Sequence, residues 1–121
     1  MRIRFPIRVL QPVVRYLKRE EKRLVKTKEK LQKEDPFADT SRVDDNAPDT
    51  DAAEQFGHAR ITALIEEINK SLIRVRKALA RIKIGKYGIC KGCGRMISTD
   101  RLAADPTAEH CLKCEKKRSR A

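Results

Sequence analysis

Two stripes of apolar residues, each spaced at alternating steps of three and four, dominate the pattern of the chain. The more regular stripe has an aliphatic residue at every step: Ile61, Ile65, Ile68, Leu72, Val75, Leu79 and Ile82. The other has two charged interruptions: Leu10, Val14, Leu17, Glu21, Leu24, Lys28 and Leu31. This spacing is typical of a helix that buries one narrow face against a partner helix.

Both stripes span 22 residues, and a polar connector separates them. Equal lengths indicate that the chain doubles back into an antiparallel helical hairpin, a coiled coil roughly 33 Å long at about 1.5 Å per residue. We place this hairpin at residues 11–84. Its first helix is predicted to start near Gln11, with Pro12 in the first turn, where the missing N–H of proline does no harm. The second helix is predicted to begin near Asp49 or Asp51, because an acid suits the positive end of a helix.

Charge is distributed unevenly along the chain, whose net charge is +12. Residues 34–54 contain eight acids and one base, a net charge of −7, which leaves +19 for the rest of the chain. We interpret this segment as the acidic tip of the hairpin, because Pro36 and Pro48 break helices there. A simple phosphate binder would gain nothing from such a tip, since carboxylates weaken binding to a polyanion. A solvated loop that only aids solubility is the alternative interpretation.

The sequence contains no run of 18 apolar residues, so no membrane-spanning segment is predicted. The basic N-terminal segment, residues 1–10, resembles a targeting peptide in charge, but proline and arginine interrupt any secretory apolar core. We leave the structure of that segment unassigned. A cytoplasmic protein is therefore expected, and in a reducing cytosol clustered cysteines favour metal binding over disulfides.

Four cysteines with the spacing C-x2-C-x17-C-x2-C predict a site for one zinc ion: Cys90, Cys93, Cys111 and Cys114. Two residues between paired cysteines let a tight turn direct both sulfur atoms at one tetrahedral ion, and Gly94 supplies the backbone freedom of such a turn. Two disulfides or a redox-active CxxC pair are the alternatives. His110 is a further candidate ligand that could compete with its neighbour Cys111.

Four thiolates would fill the coordination sphere of zinc and leave no position for water, so the predicted zinc is structural. With two histidines and saturated cysteines, the chain assembles no nucleophile, base and orienting group, and we expect no enzyme. The predicted fold class is mainly α, an antiparallel helical hairpin with a small C-terminal C4 zinc finger. The finger is placed at residues 85–117, and a basic tail at residues 118–121 follows it.

The segment from residue 87 to residue 116 resembles the C4 zinc finger of the DksA/TraR family. The shared features are a Y-G-x-C-x-x-C-G motif, an I-x-x-x-R-L stretch at 97–102, Pro-Thr-Ala at 106–108 and the final C-x-x-C. The likeness extends over residues 49–117, and the N-terminal arm is similar in layout only.

This resemblance implies a bacterial transcription regulator that binds RNA polymerase without needing DNA. In the family, the coiled-coil tip enters the secondary channel of the polymerase and places acidic residues near the catalytic magnesium. The family's tip pattern is D-x-x-D-x-A, which Asp51 and Ala53 match in its second half, whereas Pro48 replaces the first aspartate and Asp49 follows it. The resemblance thus makes Asp49, Asp51 and Ala53 the candidate acting residues. We expect a monomer whose protein partner is RNA polymerase.

Two other functions remain open on the sequence alone. The first is a zinc ribbon that binds nucleic-acid phosphates through basic residues of the finger: Lys91, Arg95, Arg101, Lys113, Lys116 and Lys117. The scarcity of aromatic residues argues against single-strand binding by such a ribbon. The second is an adaptor that forms a homodimer through the helical seam.

Other residues of the hairpin receive a structural interpretation. His58 continues the aliphatic stripe and is interpreted as a packed or surface residue, and Phe37 and Phe56 are expected to pack the tip against the helices. Bases crowd the end of the second helix, where they suit the helix dipole or could contact polymerase acids: Arg74, Arg76, Lys77, Arg81, Lys83 and Lys86.

Overall fold

The computed structural model describes residues 5–38 and 48–119, and within these ranges the regular structure is helical. The α-helices are α1 (Ile7–Glu34), α2 (Pro48–Lys83), α3 (Thr99–Ala104) and α4 (Leu112–Ser119). None of the helices in the described part of the chain combines the length and the apolar character needed to cross a bilayer.

Both apolar stripes lie on the inner faces of α1 and α2, as the spacing predicted. All fourteen stripe positions are buried or half-buried, including the charged Glu21 and Lys28. Leu17 has no exposed surface at all, and Ile61 is 2% exposed. The three-and-four spacing therefore identified the packed face of each helix correctly, and long charged side chains are tolerated at two positions because their aliphatic stems can pack while their heads reach water.

The chain forms two compact units, of which the first comprises Met1–Glu21 and Ile73–Ala121. In this unit the start of α1 and the end of α2 run antiparallel. Leu10 of α1 and Ile82 of α2 line the same cavity. Further along α1, Oε2 of Glu21 lies 2.9 Å from Nε of Arg76, which comes before Ile82 in α2. The predicted antiparallel pairing of the helices is confirmed in this unit.

α1 begins at Ile7 and not near Gln11, so the expected position of Pro12 in the first turn is wrong. Pro12 lies inside the helix. The helix opens after Pro6, whose carbonyl oxygen accepts the N–H of Val9 at 3.0 Å. The boundary expected between residues 1–10 and 11–84 consequently falls within a helix.

The earlier start of α1 is explained by packing of Phe5, which lies two residues before the helix. The rings of Phe5 and Tyr87 are 6.4 Å apart between centroids and tilted by 58°. Gly88 has φ +81°, and a Cβ at this position would collide with the Phe5 ring. Because Phe5 packs against Tyr87 and Gly88 of the finger, the backbone is fixed in place before residue 7, and α1 can begin there.

The second unit, Lys22–Leu72, contains the end of α1, a 3₁₀ helix at Pro36–Ala38 and the first part of α2. Its buried hydrophobic residues among those described are Leu24, Ile61 and Leu72. Of the predicted acidic tip, residues 39–47 lie outside the described residues.

A polar clasp joins the end of α1 to α2 in the second unit. Nδ1 of His58 lies 2.8 Å from Oδ2 of Asp35, and the ring of Phe37 stacks on His58 with 4.4 Å between centroids. The N–H of Phe37 donates to Oδ1 of Asp35 at 2.9 Å. The expected packing of Phe37 is therefore found, whereas Phe56 is 77% exposed and the expectation that it packs is wrong.

Candidate metal centre and acidic tip

The first cysteine pair lies in a tight turn closed by an isolated antiparallel bridge between Ile89 and Met96. The N–H of Cys90 donates to the carbonyl of Arg95 at 2.8 Å, and the N–H of Gly94 donates back to the carbonyl of Cys90 at 2.9 Å. Gly94 has φ +73°, a conformation that side-chain-bearing residues rarely adopt. The glycine after the pair therefore has the role that the sequence predicted for it.

The second cysteine pair lies at the start of α4. The carbonyl of Cys111 accepts the N–H of Glu115 at 2.9 Å, which begins the helix and orients Cys114 on its first turn. The N–H of Lys91, next to the first pair, donates to the carbonyl of Glu109 at 2.9 Å. This backbone contact ties the two cysteine turns together, so the sulfur atoms face one another before any metal is considered.

The four sulfur atoms lie close enough together to share one tetrahedral ion. All four Sγ atoms lie within 4.8 Å of one another, and those of Cys93 and Cys111 are 3.8 Å apart. A zinc ion with Zn–S bonds of about 2.3 Å has ligand sulfurs about 3.8 Å apart. All four cysteines are free, so the two-disulfide alternative finds no support. The donor set fits a single structural zinc ion.

Backbone hydrogen bonds prepare part of this cluster for metal. Burial raises the pKa of the Cys90 thiol, but N–H groups of Cys111, Cys93 and Gly92 outweigh it and lower the pKa to about 6. The pKa of Cys114 is raised to about 12, chiefly by its hydrogen bond to Cys111 and by that to Cys90. Four thiols this close share protons, and an ion that replaces those protons would remove the repulsion between thiolates.

His110 does not join the metal-ligand group. Among the described residues, the cluster of possible ligands consists of the four cysteines. Nη1 of Arg118 lies 3.2 Å from Nδ1 of His110, and Nε of Arg101 donates to its carbonyl at 2.9 Å. The imidazole is thus engaged by α4, and the sequence alternative of a histidine ligand finds no support.

Arg81 is a structural residue that the sequence analysis did not identify. Its Nη2 donates to the carbonyl of Lys86 at 3.3 Å and also to the carbonyl of Ile89, directly before the first cysteine turn. From the sequence alone, this base suits the helix dipole or a contact with polymerase acids. An arginine in the last turn of a helix, followed by a glycine-rich turn, is the signal that could have found this role.

The tip residues belong to the second unit and the cysteines to the first. Asp51 and Ala53 lie in the first turns of α2 with their side chains exposed. The backbone of Asp49 is helical as well, directly after Pro48 at the helix start. The second helix thus begins where the acids predicted it.

The basic residues proposed for phosphate binding divide into two groups. Arg101 and Lys91 are used within the finger, since Arg101 bonds to the carbonyl of His110 and Nζ of Lys91 lies 3.6 Å from Oε2 of Glu109. The others are exposed and form no ion pair with the described residues: Arg95, Lys113, Lys116 and Lys117.

Comparisons with known proteins agree with this geometry. The family model described as "Prokaryotic dksA/traR C4-type zinc finger" matches residues 85–120. An uncharacterized protein of Aquifex aeolicus (strain VF5) is 43% identical over 44 residues, which are 36% of this chain but only 30% of the length of that relative.

Two solved structures are similar over most of the chain. The transcription factor DksA2 from Pseudomonas aeruginosa is 24% identical, with 86% of this chain and 83% of that chain covered and a TM-score of 0.58. The RNA polymerase binding protein and transcriptional regulator Dks from Chlamydia trachomatis L2 is 23% identical, with coverages of 88% and 90% and a TM-score of 0.42. The likeness to DksA2 shows the fold, and with the sulfur cluster it confirms the predicted fold class. The family match confirms the resemblance and the predicted zinc.

Proposed function

We propose that this chain, whose residues 85–120 match the family model of the dksA/traR C4-type zinc finger, is a transcription regulator that binds RNA polymerase. In this proposal the acidic tip enters the secondary channel of the enzyme, and Asp49, Asp51 and Ala53 act there. The zinc ion maintains the finger and has no part in catalysis. The protein acts in the cytoplasm as a monomer, and the chemistry remains that of the polymerase.

The exposure of the tip residues is the observation that carries the proposal. Asp51 and Ala53 are exposed to solvent in the first turns of α2. Carboxylate oxygens are the ligands that Mg²⁺ prefers, so acids brought close to a catalytic magnesium would disturb its coordination. The +19 carried by the rest of the chain would meanwhile suit acidic protein surfaces outside that site.

A double variant, Asp49→Asn with Asp51→Asn, separates polymerase binding from the effect on transcription. Its affinity for core RNA polymerase and its effect in a transcription assay are both measured. We expect the variant to bind with unchanged affinity and to lose its effect on transcription, because only the carboxylate charge is removed. Asp100→Asn is the matched control, since Asp100 is also an exposed aspartate and lies in the first turn of another helix, α3. A double variant that keeps its full effect on transcription, or a wild type that forms no polymerase complex, contradicts the proposal.

Binding of nucleic acid by the finger is the second candidate function. The observation that favours it is the set of four exposed bases that form no ion pair with the described residues, Arg95, Lys113, Lys116 and Lys117. Binding of duplex DNA would then weaken steeply with salt, by a logarithmic slope of about −0.9 for each phosphate contact. Binding of duplex DNA is measured across a salt range, alongside the polymerase assay. Tight DNA binding without a polymerase complex would support this function. A homodimer through the seam is not favoured, because Leu17 and Ile61 are already covered within the chain.

A further inference from the structure

The first turns of α2 carry the candidate acting residues but lie outside the aliphatic seam. None of the side chains at residues 51–60, all of which the structure describes, is buried, and the next residue, Ile61, is 2% exposed. Asp51 therefore lies about three helical turns ahead of that buried contact. A helix end without buried contacts opens easily unless another interaction holds it. The direction of the Asp51 side chain thus depends on contacts outside the seam.

The clasp between Asp35 and His58 supplies such a contact. Nδ1 of His58 lies 3.0 Å and 2.8 Å from the two carboxylate oxygens of Asp35. A carboxylate only accepts hydrogen bonds, so Nδ1 carries the hydrogen and donates it. The side chain of Asp35 is 17% exposed and that of His58 is 41% exposed, so water competes little at the carboxylate. The hydrogen bond consequently fixes one side of α2 to the segment directly after α1.

The backbone beside His58 comes close to the same segment. A Cβ on Gly57 would lie only 3.0 Å from Cγ of Pro36. Glycine inside a helix is normally unfavourable, and here it lets Pro36 approach α2. The ring of Phe37 then stacks on the imidazole, with 4.4 Å between centroids and 23° between the planes. Three consecutive residues after α1 therefore pack against two consecutive residues of α2.

Asp51 lies on the same face of α2 as His58. The two residues are seven positions apart in one continuous helix, Pro48–Lys83. At 3.6 residues per turn, seven positions return to within about 20° of the same direction, roughly 10 Å along the axis. Whatever fixes the rotation of α2 at His58 therefore also fixes the direction in which Asp51 leaves the helix.

We propose that His58 is a positioning residue of the tip, because its hydrogen bond to Asp35 fixes the rotation of the first turns of α2 and with it the direction of the Asp51 carboxylate. This inference rests on the proposed function, since it names what orients the acid that acts there. His58 itself touches neither the polymerase nor its magnesium.

The geometry of magnesium makes such positioning matter. Mg²⁺ binds oxygen ligands at about 2.0–2.1 Å in a nearly octahedral arrangement, so a small rotation of the helix would take the carboxylate out of reach. A displacement of about 1 Å can reduce an effect that depends on geometry by as much as about a hundredfold. Loss of the clasp should therefore lower the effect on transcription and leave the affinity for polymerase unchanged.

The test compares His58→Ala with the wild type in two assays, affinity for core RNA polymerase and the change in transcript level that saturating protein produces. We expect the effect on transcription to fall on the order of tenfold, and the dissociation constant to stay within about twofold. Circular dichroism, zinc content and hydrogen exchange at Ile61 verify that the second unit remains folded.

Two further variants separate positioning from general stability. Ile61→Val is the matched control, because it removes one methylene from a buried residue of the same unit, one turn after His58, and leaves the clasp intact. It should keep the full effect on transcription. His58→Asn is the conservative variant, since its amide nitrogen can take the place of Nδ1 and donate to Asp35. It should restore at least about half of the effect that His58→Ala loses.

The outcomes separate this inference from the proposed function. If the wild type forms no polymerase complex, or the Asp49→Asn, Asp51→Asn variant keeps its full effect, both are wrong. If that variant loses its effect but His58→Ala keeps it, the positioning role is wrong while the proposed function stands. A tenfold weaker complex with His58→Ala would make His58 a polymerase contact and overturn the inference. Equal losses with Ile61→Val, or no recovery with His58→Asn, would also overturn it.

Discussion

The two units of the chain are stabilised by different interactions. Eight of the eleven buried hydrophobic residues among those described belong to the first unit, which also holds the four cysteines. The second unit buries three, Leu24, Ile61 and Leu72, and adds the clasp between Asp35 and His58. Zinc ligation stabilises the first unit through one strong site. The second unit depends on separate aliphatic contacts, each of which contributes only part of its stability.

This difference suits a division of roles. The candidate acting residues Asp51 and Ala53, and the exposed Phe56, all belong to the sparsely packed second unit. Segments that must adapt to a partner are generally drawn from the less stable parts of a protein. The metal-stabilised unit instead contains the close packing of Phe5 against Tyr87 and Gly88. The experiments below test whether the units respond as differently as their packing indicates.

Removal of zinc is expected to have the largest effect, confined mainly to the first unit. Structural zinc contributes folding free energy on the order of 10 kcal/mol, so a chelator should unfold the finger at residues 85–117 while leaving the second unit helical. Hydrogen exchange followed by residue would show loss of protection around Tyr87 and Ile97 and retained protection around Ile61. Zinc added back should restore protection. Equal loss in both units would show that they are not independent and would break the comparison.

Truncation of one buried aliphatic residue in each unit should produce the next largest effect. Leu17→Ala in the first unit and Ile61→Ala in the second each leave a cavity, and should lower the free energy of unfolding by about 2–5 kcal/mol. Denaturant unfolding of the zinc-loaded protein measures this. The control is Tyr16→Ala, at a position 44% exposed, expected to change stability by roughly 0.5 kcal/mol. A loss below about 1 kcal/mol at Ile61 would mean that the seam of the second unit is poorly packed.

Two glycines of the first unit allow a smaller and sharper test. Gly88 and Gly94 both have positive φ, +81° and +73°, so alanine at either costs about 1–2 kcal/mol of backbone strain. Around Gly94 the space for a Cβ is open, whereas at Gly88 the Cβ would meet the Phe5 ring. Gly88→Ala should therefore be the more destabilising in thermal unfolding. Equal effects of the two variants would show that Phe5 moves aside freely.

The features predicted from sequence are those that local spacing determines. The steps of three and four placed Leu17 and Ile61 at the seam because helical periodicity is a property of the chain itself. The cysteine pairs were found for the same reason, because the C-x-x-C spacing by itself identifies a turn that can direct two sulfur atoms at one metal ion. The tip residues stay a prediction that rests on the family pattern.

The features that sequence did not reveal depend on contacts distant in the chain. The start of α1 at Ile7 follows from the seat of Phe5 against Gly88, about eighty residues away, which no local pattern encodes. His58 was interpreted as a packed or surface residue, but its partner Asp35, directly after the end of α1, could not be named. Arg81 was assigned to charge alone, because its carbonyl partners exist only once the turn has folded.

The clasp of the second unit is expected to give the smallest effect, and one that depends on pH. The N–H of Phe37, and to a lesser extent His58, lower the pKa of Asp35 below its ordinary value of 3.8. Because the folded state prefers the carboxylate, the clasp contributes its full stability above pH 3.8 and loses it as the pH falls through the lowered pKa. An NMR titration of the Asp35 carboxyl should find a midpoint below 3.8, which moves toward 3.8 in His58→Ala.

Asp35→Asn at neutral pH examines the same clasp without acid. The amide can still accept the N–H of Phe37, but its charge no longer attracts His58, so the stacking of Phe37 on His58 should loosen slightly. The Phe37 amide should exchange faster with solvent, and the finger should be unaffected. Glu34→Gln is the matched control, because Glu34 is the exposed neighbouring acid at the end of α1. If both variants change the Phe37 amide alike, the effect comes from net charge near the tip and the clasp does not hold the second unit.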